Sequence, residues 1–139
     1  MPTETLVEIN GAYQGDLRVK LTHAPSNTVI ETDAPKDNQG KGERFSPTDM
    51  LVAALGACMV TIMGIVAKRD GINLNDVTFK AQKHMYQNPR RIGKIVLEIY
   101  MPAGLTEEQK VKLEKFAYTC PVHESLSKDI EQDIKFIYP

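Results

Sequence analysis

The sequence predicts an α+β fold, a mainly antiparallel sheet with helices on one face, and three observations carry that prediction. Short segments alternate in polarity and are separated by turn residues, the pattern of hairpin strands. One run, Met50 to Ala67, holds 18 residues without a charge and is bounded by helix start and stop signals. The element order reads β-β-β-α-β-β-α-α-β, in which strands mostly follow strands. A length of 139 residues fits one domain spanning 1–139.

Leu6 to Asn10, Leu17 to His23 and Thr28 to Thr32 read as short strands, with Asn10-Gly11 and Ser26-Asn27 as turns. A polar, Gly-rich connection follows from Asp33 to Phe45 and leads into the apolar run. It reads equally as the border of a site or as a solvated linker. Its Gly40-Lys41-Gly42 is no phosphate loop, because the spacing and the preceding buried strand of that motif are missing. At Ser46 a helix begins: Ser46 suits the N-cap, Pro47 the first helical position, and Asp49 completes a Ser-x-x-Asp capping box. Gly71 ends it. Residues 47 to 70 then span roughly 35 Å at 1.5 Å per residue, about the width of a small domain.

This helix is apolar all round, and one small subunit has too little else to cover it. Ala53, Gly56, Ala57 and Gly64 are small enough to let another helix approach, so the sequence predicts an intimate homodimer. A membrane span is the rival reading. It is rejected because Asp49 and Asp70 flank the run beside Lys68 and Arg69, without a positive bias, and because the half-polar segments need something apolar to pack on. Asp76 to Tyr86 then alternates, with Val77, Phe79, Ala81 and Met85 on one side. Asn88-Pro89 turns the chain, and Ile95, Leu97, Ile99 and Met101 mark the returning strand. Thr106-Glu107-Glu108-Gln109 is a capping box that opens a helix to about Tyr118. A short helix follows Pro121, and Asp133 to Tyr138 closes the chain as a strand.

Composition narrows the function. Apolar residues make up 42% and charged residues 25%, and the net charge is −1. That is ordinary globular usage with no basic surface for nucleic acid. The Met1 to Thr5 segment has neither a basic nor an apolar stretch, so the expected location is cytoplasmic. There a stable structural disulfide is disfavoured while a transient catalytic one is allowed.

Cys58 and Cys120 are the only cysteines. Cys58 sits mid-helix in apolar surroundings, where a free cysteine ordinarily acts as a small hydrophobe. Cys120 opens Cys120-Pro121-Val122-His123, a helix start, where the helix dipole and free N–H groups favour a thiolate. His123 stands three residues on and adds charge when protonated; otherwise it is an exposed first-turn residue. Local reasoning therefore makes Cys120 the more acidic thiol.

Two motifs shift that balance. Ser46-Pro47-Thr48-Asp49-Met50-Leu51 followed by Ala54-Leu55-Gly56-Ala57-Cys58 resembles the helix motif of the OsmC/Ohr family, the osmotically inducible and organic hydroperoxide resistance proteins. Cys120-Pro121-Val122-His123 with Ser125-Leu126 resembles that family's second cysteine motif, and the separation of 62 positions fits. The resemblance covers nearly the whole chain. It implies antiparallel sheets wrapped round long central helices in an intertwined homodimer, with active sites at the subunit interface. It also implies a thiol peroxidase without a cofactor or metal. Cys58 would attack a hydroperoxide and become a sulfenic acid, Cys120 would resolve it to a disulfide, and an external dithiol, of lipoyl type in some members, would reduce the pair.

The same family supports its thiolate with an arginine held by a glutamate near the helix start. Here the position ten residues before Cys58 is Thr48, and the nearest acid, Asp49, falls on the opposite face of the helix from Cys58. Arg18 on an early strand and Arg44 before the helix are the candidate cations, with Arg69, Arg90 and Arg91 as further ones. A strand arginine ordinarily lies solvated on an outer face. Two alternatives accompany the peroxidase reading. One is a non-catalytic protein of this fold that binds an apolar ligand or partner at the dimer interface. The other is a metal site from Cys120, His123 and His84, which supplies only half of a zinc set.

Overall fold

The computed structural model describes residues 6–139, so the N-terminal reading made on Met1 to Thr5 lies outside the described residues. The elements are β1 (Ile9–Gly15), β2 (Arg18–His23), β3 (Thr28–Asp33), a single 3₁₀ turn (Lys36–Asn38), α1 (Pro47–Asp70), β4 (Thr78–Tyr86), β5 (Arg91–Tyr100), α2 (Glu107–Ala117), α3 (Pro121–Ser125) and β6 (Glu131–Ile137). Two compact units divide the chain, one up to Met50 and one from Leu51 to Pro139.

The first unit is an antiparallel meander, β1-β2-β3. Its first turn is at Gly15-Asp16-Leu17, three consecutive residues with positive φ, and not at Asn10-Gly11 as expected. Asn10 and Gly11 lie inside β1, paired with Thr22 and Leu21. A tight hairpin needs left-handed residues in succession, and Gly15-Asp16 supply them at less strain than a break inside an alternating strand. The Ser26-Asn27 turn stands as expected, with both N–H groups donating to the His23 carbonyl at 3.2 and 2.8 Å.

The connection from Asp33 to Phe45 is no free linker. The Asp33 N–H donates to the Phe45 carbonyl at 3.1 Å, and the Gly42 N–H to the Ala34 carbonyl at 3.2 Å, closing the loop on itself. Only glycine fits at position 40, because a Cβ there would meet the Ala34 carbonyl oxygen at 1.8 Å.

In the second unit β4-β5-β6 form one sheet. The β4 and β5 strands pair antiparallel, with Phe79 opposite Ile99 and Ala81 opposite Leu97. The β6 strand pairs parallel to β5, with Leu97 opposite Ile134. The pairing is mainly antiparallel, as expected, and β5-β6 is the parallel exception among the described strands, because the chain returns from β5 through α2 and α3 before laying down β6. Ile92, Ile95, Leu97 and Ile99 of β5 pack with Leu55, Met59, Met63 and Val66 of α1 and Leu113 of α2 in one core cluster.

Helix α1 starts as its cap predicts. The Asp49 N–H donates to Ser46 Oγ at 3.1 Å, and the Ser46 N–H returns the bond to Asp49 Oδ2 at 2.9 Å. Its burial is one-sided, in line with the expectation that one small subunit leaves part of it uncovered. Val52, Leu55, Gly56, Met59, Met63, Val66 and Ala67 are buried, while Leu51, Ala57, Thr61, Gly64 and Ile65 form an exposed face of similar apolarity. By length and hydropathy alone α1 is able to cross a membrane, with 39% of its most apolar window buried. Among the small residues predicted to admit a second helix, Gly56 instead admits a ring of the sheet. A Cβ at Gly56 would lie 2.3 Å from Phe79 Cε1.

Candidate functional site

Each unit carries one chemically distinctive group of side chains. In the second unit it is the thiol pair. Cys58 is half-buried in the fourth turn of α1, Cys120 is fully buried, and both are free thiols. Although they are 62 positions apart, Cys58 packs against the buried cluster that holds Cys120.

Cys120 is the N-cap of α3 with Pro121 at the first helical position, as the sequence implies, and its Sγ accepts the His123 N–H at 3.2 Å. The expectation that this makes it the more acidic thiol is overturned. Burial pushes the Cys120 thiol pKa up, the Cys58 thiol beside it pushes the same way, and the backbone N–H groups of His123 and Val122 only partly offset them. The α3 helix has five residues, too short for a dipole to outweigh loss of water.

His123 is not placed as an auxiliary charge. Its Nδ1 is 2.6 Å from Gln132 Oε1 on β6, and its ring meets the edge of Tyr118 at 5.4 Å between centroids. Those contacts give it a structural role between α3 and the sheet. His84 lies on the exposed side of β4 with Nε2 3.3 Å from Gln82 Oε1. Among the described residues no group of three or more His, Cys, Asp or Glu side chains is placed to hold a metal ion.

In the first unit the distinctive group is an arginine clamp. Arg18 Nε donates to Asp33 Oδ1 at 2.7 Å, Arg18 Nη2 to Asp33 Oδ2 at 2.9 Å, and the same Nη2 to Glu43 Oε1 at 2.9 Å. Asp33 Oδ2 also accepts the Glu43 N–H at 3.1 Å. The Arg18 side chain is 21% exposed and that of Asp33 1%. Arg18 is therefore fixed, not a solvated outer-face residue, and a bidentate fork of this kind sets the plane of the guanidinium. The two hydrogen bonds from Arg18 hold the Asp33 carboxyl at a pKa of about 2, against a burial effect that works to raise it.

Sequence reasoning found Arg18 but missed Asp33 and Glu43 as its holders. The missing signal was present in the register. Counting outward from the Ser26-Asn27 turn pairs His23 with Thr28 and hence Arg18 with Asp33. Opposite charges facing each other across antiparallel strands attract. Arg44 is exposed and pairs with Glu31 at 3.3 Å. Asp49 is engaged in the helix cap. Of the further cations, Arg69 lies over the Phe116 ring and Arg91 over the Tyr86 ring.

The comparison with curated proteins gave no match. Among solved structures, a protein of Psychrobacter arcticus 273-4 described as an osmotic stress induced and detoxification response protein is 39% identical, with 99% of this chain and 100% of that one covered at a TM-score of 0.91. An OsmC-like protein from Mycoplasma pneumoniae is 17% identical with 98% and 99% coverage at a TM-score of 0.83. An organic hydroperoxide resistance protein from Elizabethkingia anophelis, with crystallant-derived thiocyanate bound, is 19% identical over the full length of both chains at 0.79. At those two identities the likeness is one of fold alone. The OsmC family model, described as OsmC-like protein, matches residues 40–135, which include both cysteine motifs, and the chain belongs to the OsmC-like family.

Proposed function

We propose that the protein is a thiol-dependent peroxidase that reduces organic hydroperoxides in the cytoplasm. Cys58 is the attacking thiol, Cys120 resolves its sulfenic acid, and an external dithiol regenerates the pair. The observation that carries this reading is the meeting of two free thiols, 62 positions apart in sequence, at one core cluster that holds Cys120 and has Cys58 packed against it. Disulfide formation needs Cα atoms within about 7 Å, which a shared cluster favours. Cys58 is the more exposed thiol, so a substrate reaches it first. Cys120, sheltered and held protonated, suits the second step. For the arginine that the family resemblance attaches to the thiolate, Arg18 is the best prepared, since its guanidinium is already oriented by two carboxylates.

The same reading includes a homodimer. The exposed apolar face of α1 from Leu51 to Ile65 is the kind of surface a second copy covers. Light scattering at low micromolar concentration should give about twice 15.5 kDa. The activity test is thiol-dependent consumption of cumene hydroperoxide beside hydrogen peroxide, in wild type, Cys58→Ser and Cys120→Ser. The organic peroxide should be consumed faster. In Cys120→Ser a substoichiometric pulse should leave sulfenic acid on Cys58, read by mass spectrometry. An inert wild type overturns the reading in favour of a non-catalytic binder of an apolar ligand.

A further inference from the structure

Cys120 is fixed at each of its polar groups. Its N–H donates to the Ala117 carbonyl at the end of α2 at 3.2 Å, its carbonyl accepts the Glu124 N–H at 3.1 Å, and its Sγ accepts the His123 N–H at 3.2 Å. It is fully buried, in one cluster with Leu113, Ala117 and Leu126. Cys58 is the opposite case. It is half-buried, and Ala57 and Thr61 of the same helix are exposed beside it.

We propose that the external dithiol enters at Cys58: the mixed disulfide with the reductant forms on the Cys58 sulfur, and Cys120 is the thiol that leaves. This rests on the peroxidase reading above, which supplies the disulfide. A thiolate of the reductant attacks the Cys58 sulfur with an electron pair. A new S–S bond forms, the Cys58–Cys120 bond breaks, and Cys120 departs as a thiolate that takes a proton from solvent. The second thiol of the reductant, as a thiolate, then attacks the reductant's own sulfur in the mixed disulfide. Cys58 is released as a thiolate, and the reductant leaves as a disulfide, oxidised by two electrons.

Access decides which sulfur is attacked. The attacking thiolate approaches in line with the bond that breaks, from the side away from the sulfur that leaves. To reach Cys120 in that way it would have to stand inside the packed cluster. The bonds at the Cys120 backbone stop that residue from swinging out to meet it. Leaving-group quality works the other way, since burial pushes the Cys120 thiol pKa up and slows its departure. The His123 N–H at Sγ offsets part of that cost. A slower departure still proceeds, whereas an enclosed sulfur offers no line of approach. One opening therefore serves both half-reactions, and hydroperoxide and dithiol meet the same sulfur in turn.

The test stops the exchange halfway. Wild type is oxidised with cumene hydroperoxide or, in parallel, with diamide, and is then given stoichiometric cysteamine, a monothiol that cannot complete the second step. Free thiols are blocked with N-ethylmaleimide, and both cysteines are mapped by peptide mass spectrometry. In the folded protein cysteamine should be found on Cys58 and maleimide on Cys120, in excess over the reverse pattern by about tenfold or more. In denaturing urea both sulfurs are open, and the excess should fall to within about twofold. Cysteamine on Cys120, an even split in the folded protein, or an excess that persists in urea overturns the inference. A disulfide that forms with diamide but not with cumene hydroperoxide overturns the peroxidase reading, while the cysteamine map still decides where the reductant enters. If neither oxidant joins the two thiols, both readings fall.

Discussion

The arginine clamp and the thiol pair solve opposite problems. Arg18 and Asp33 carry full charges, and each is met by several short, directed hydrogen bonds. Cys58 and Cys120 are neutral as thiols, and their surroundings are chiefly apolar side chains of the second unit's core. A buried charge is tolerated only when its partners saturate it, so the clamp is specified by geometry and fails when one partner is lost. A buried thiol needs only space, so the pair is specified by packing and tolerates polar neglect. The proposed reaction reverses the cost: a thiol that ionises to react has to find its stabilisation at that moment. The structure thus keeps its fixed charge and its latent charge in different kinds of environment.

The sharpest break of this contrast is Cys58→Ser. It should abolish peroxide consumption while thermal unfolding stays within a few degrees of wild type, since oxygen for sulfur changes little in packing. Retained activity would reverse the roles of the two cysteines. Next in size is Leu97→Ala, at a fully buried position of β5, which should cost about 2–5 kcal/mol in urea unfolding. Gly56→Ala is smaller. The new methyl must displace the Phe79 ring and should cost about 1–3 kcal/mol.

The clamp is probed by acid. The folded-state pKa of Asp33, about 2, is below the ordinary carboxylate value of 3.8. Its contribution is therefore complete above pH 3.8 and is lost as pH falls through about 2. The stability advantage of wild type over Asp33→Asn should shrink steadily between those limits, measured by urea titration at each pH. A constant difference would show that the clamp is not ionic. The smallest effect belongs to Arg44→Ala, which removes an exposed pair with Glu31 and should cost under about 1 kcal/mol.

The features legible from sequence were those written locally. Ser46 with Asp49 and Thr106 with Gln109 are reciprocal caps between residues three apart, and both formed as read. The alternation of β4 was readable for the same reason. The features that escaped reading depend on what lies across the fold. Nothing near Cys120 in sequence announces that it is fully buried, and that burial reverses the effect of its helix start. The apolar composition of α1 could not say which half would be covered, because its inner and outer faces are equally apolar. The parallel pairing of β6 was hidden because a hairpin and a crossover leave the same alternation in a strand. Arg18 and Asp33 were the intermediate case: the turn and the strand spacing together fixed their pairing, but only to a reader who carried the register back to the first residue of β2.

Gly56 acts as a mechanical stop. It stands two residues before Cys58, so the two positions are separated by about 200° round the helix axis. The Phe79 ring rests where a side chain at 56 would be, which gauges the clearance between α1 and β4 to the thickness of one methyl group. A side chain larger than hydrogen would have to be absorbed by rolling the helix. A roll of about 10° swings an atom about 5 Å from the axis through nearly 1 Å. That is the scale of misplacement at which a reacting group loses about 10² in rate. A residue without a side chain, on the far side of the helix from Cys58, thus sets the alignment tolerance of the sulfur in the proposed reaction.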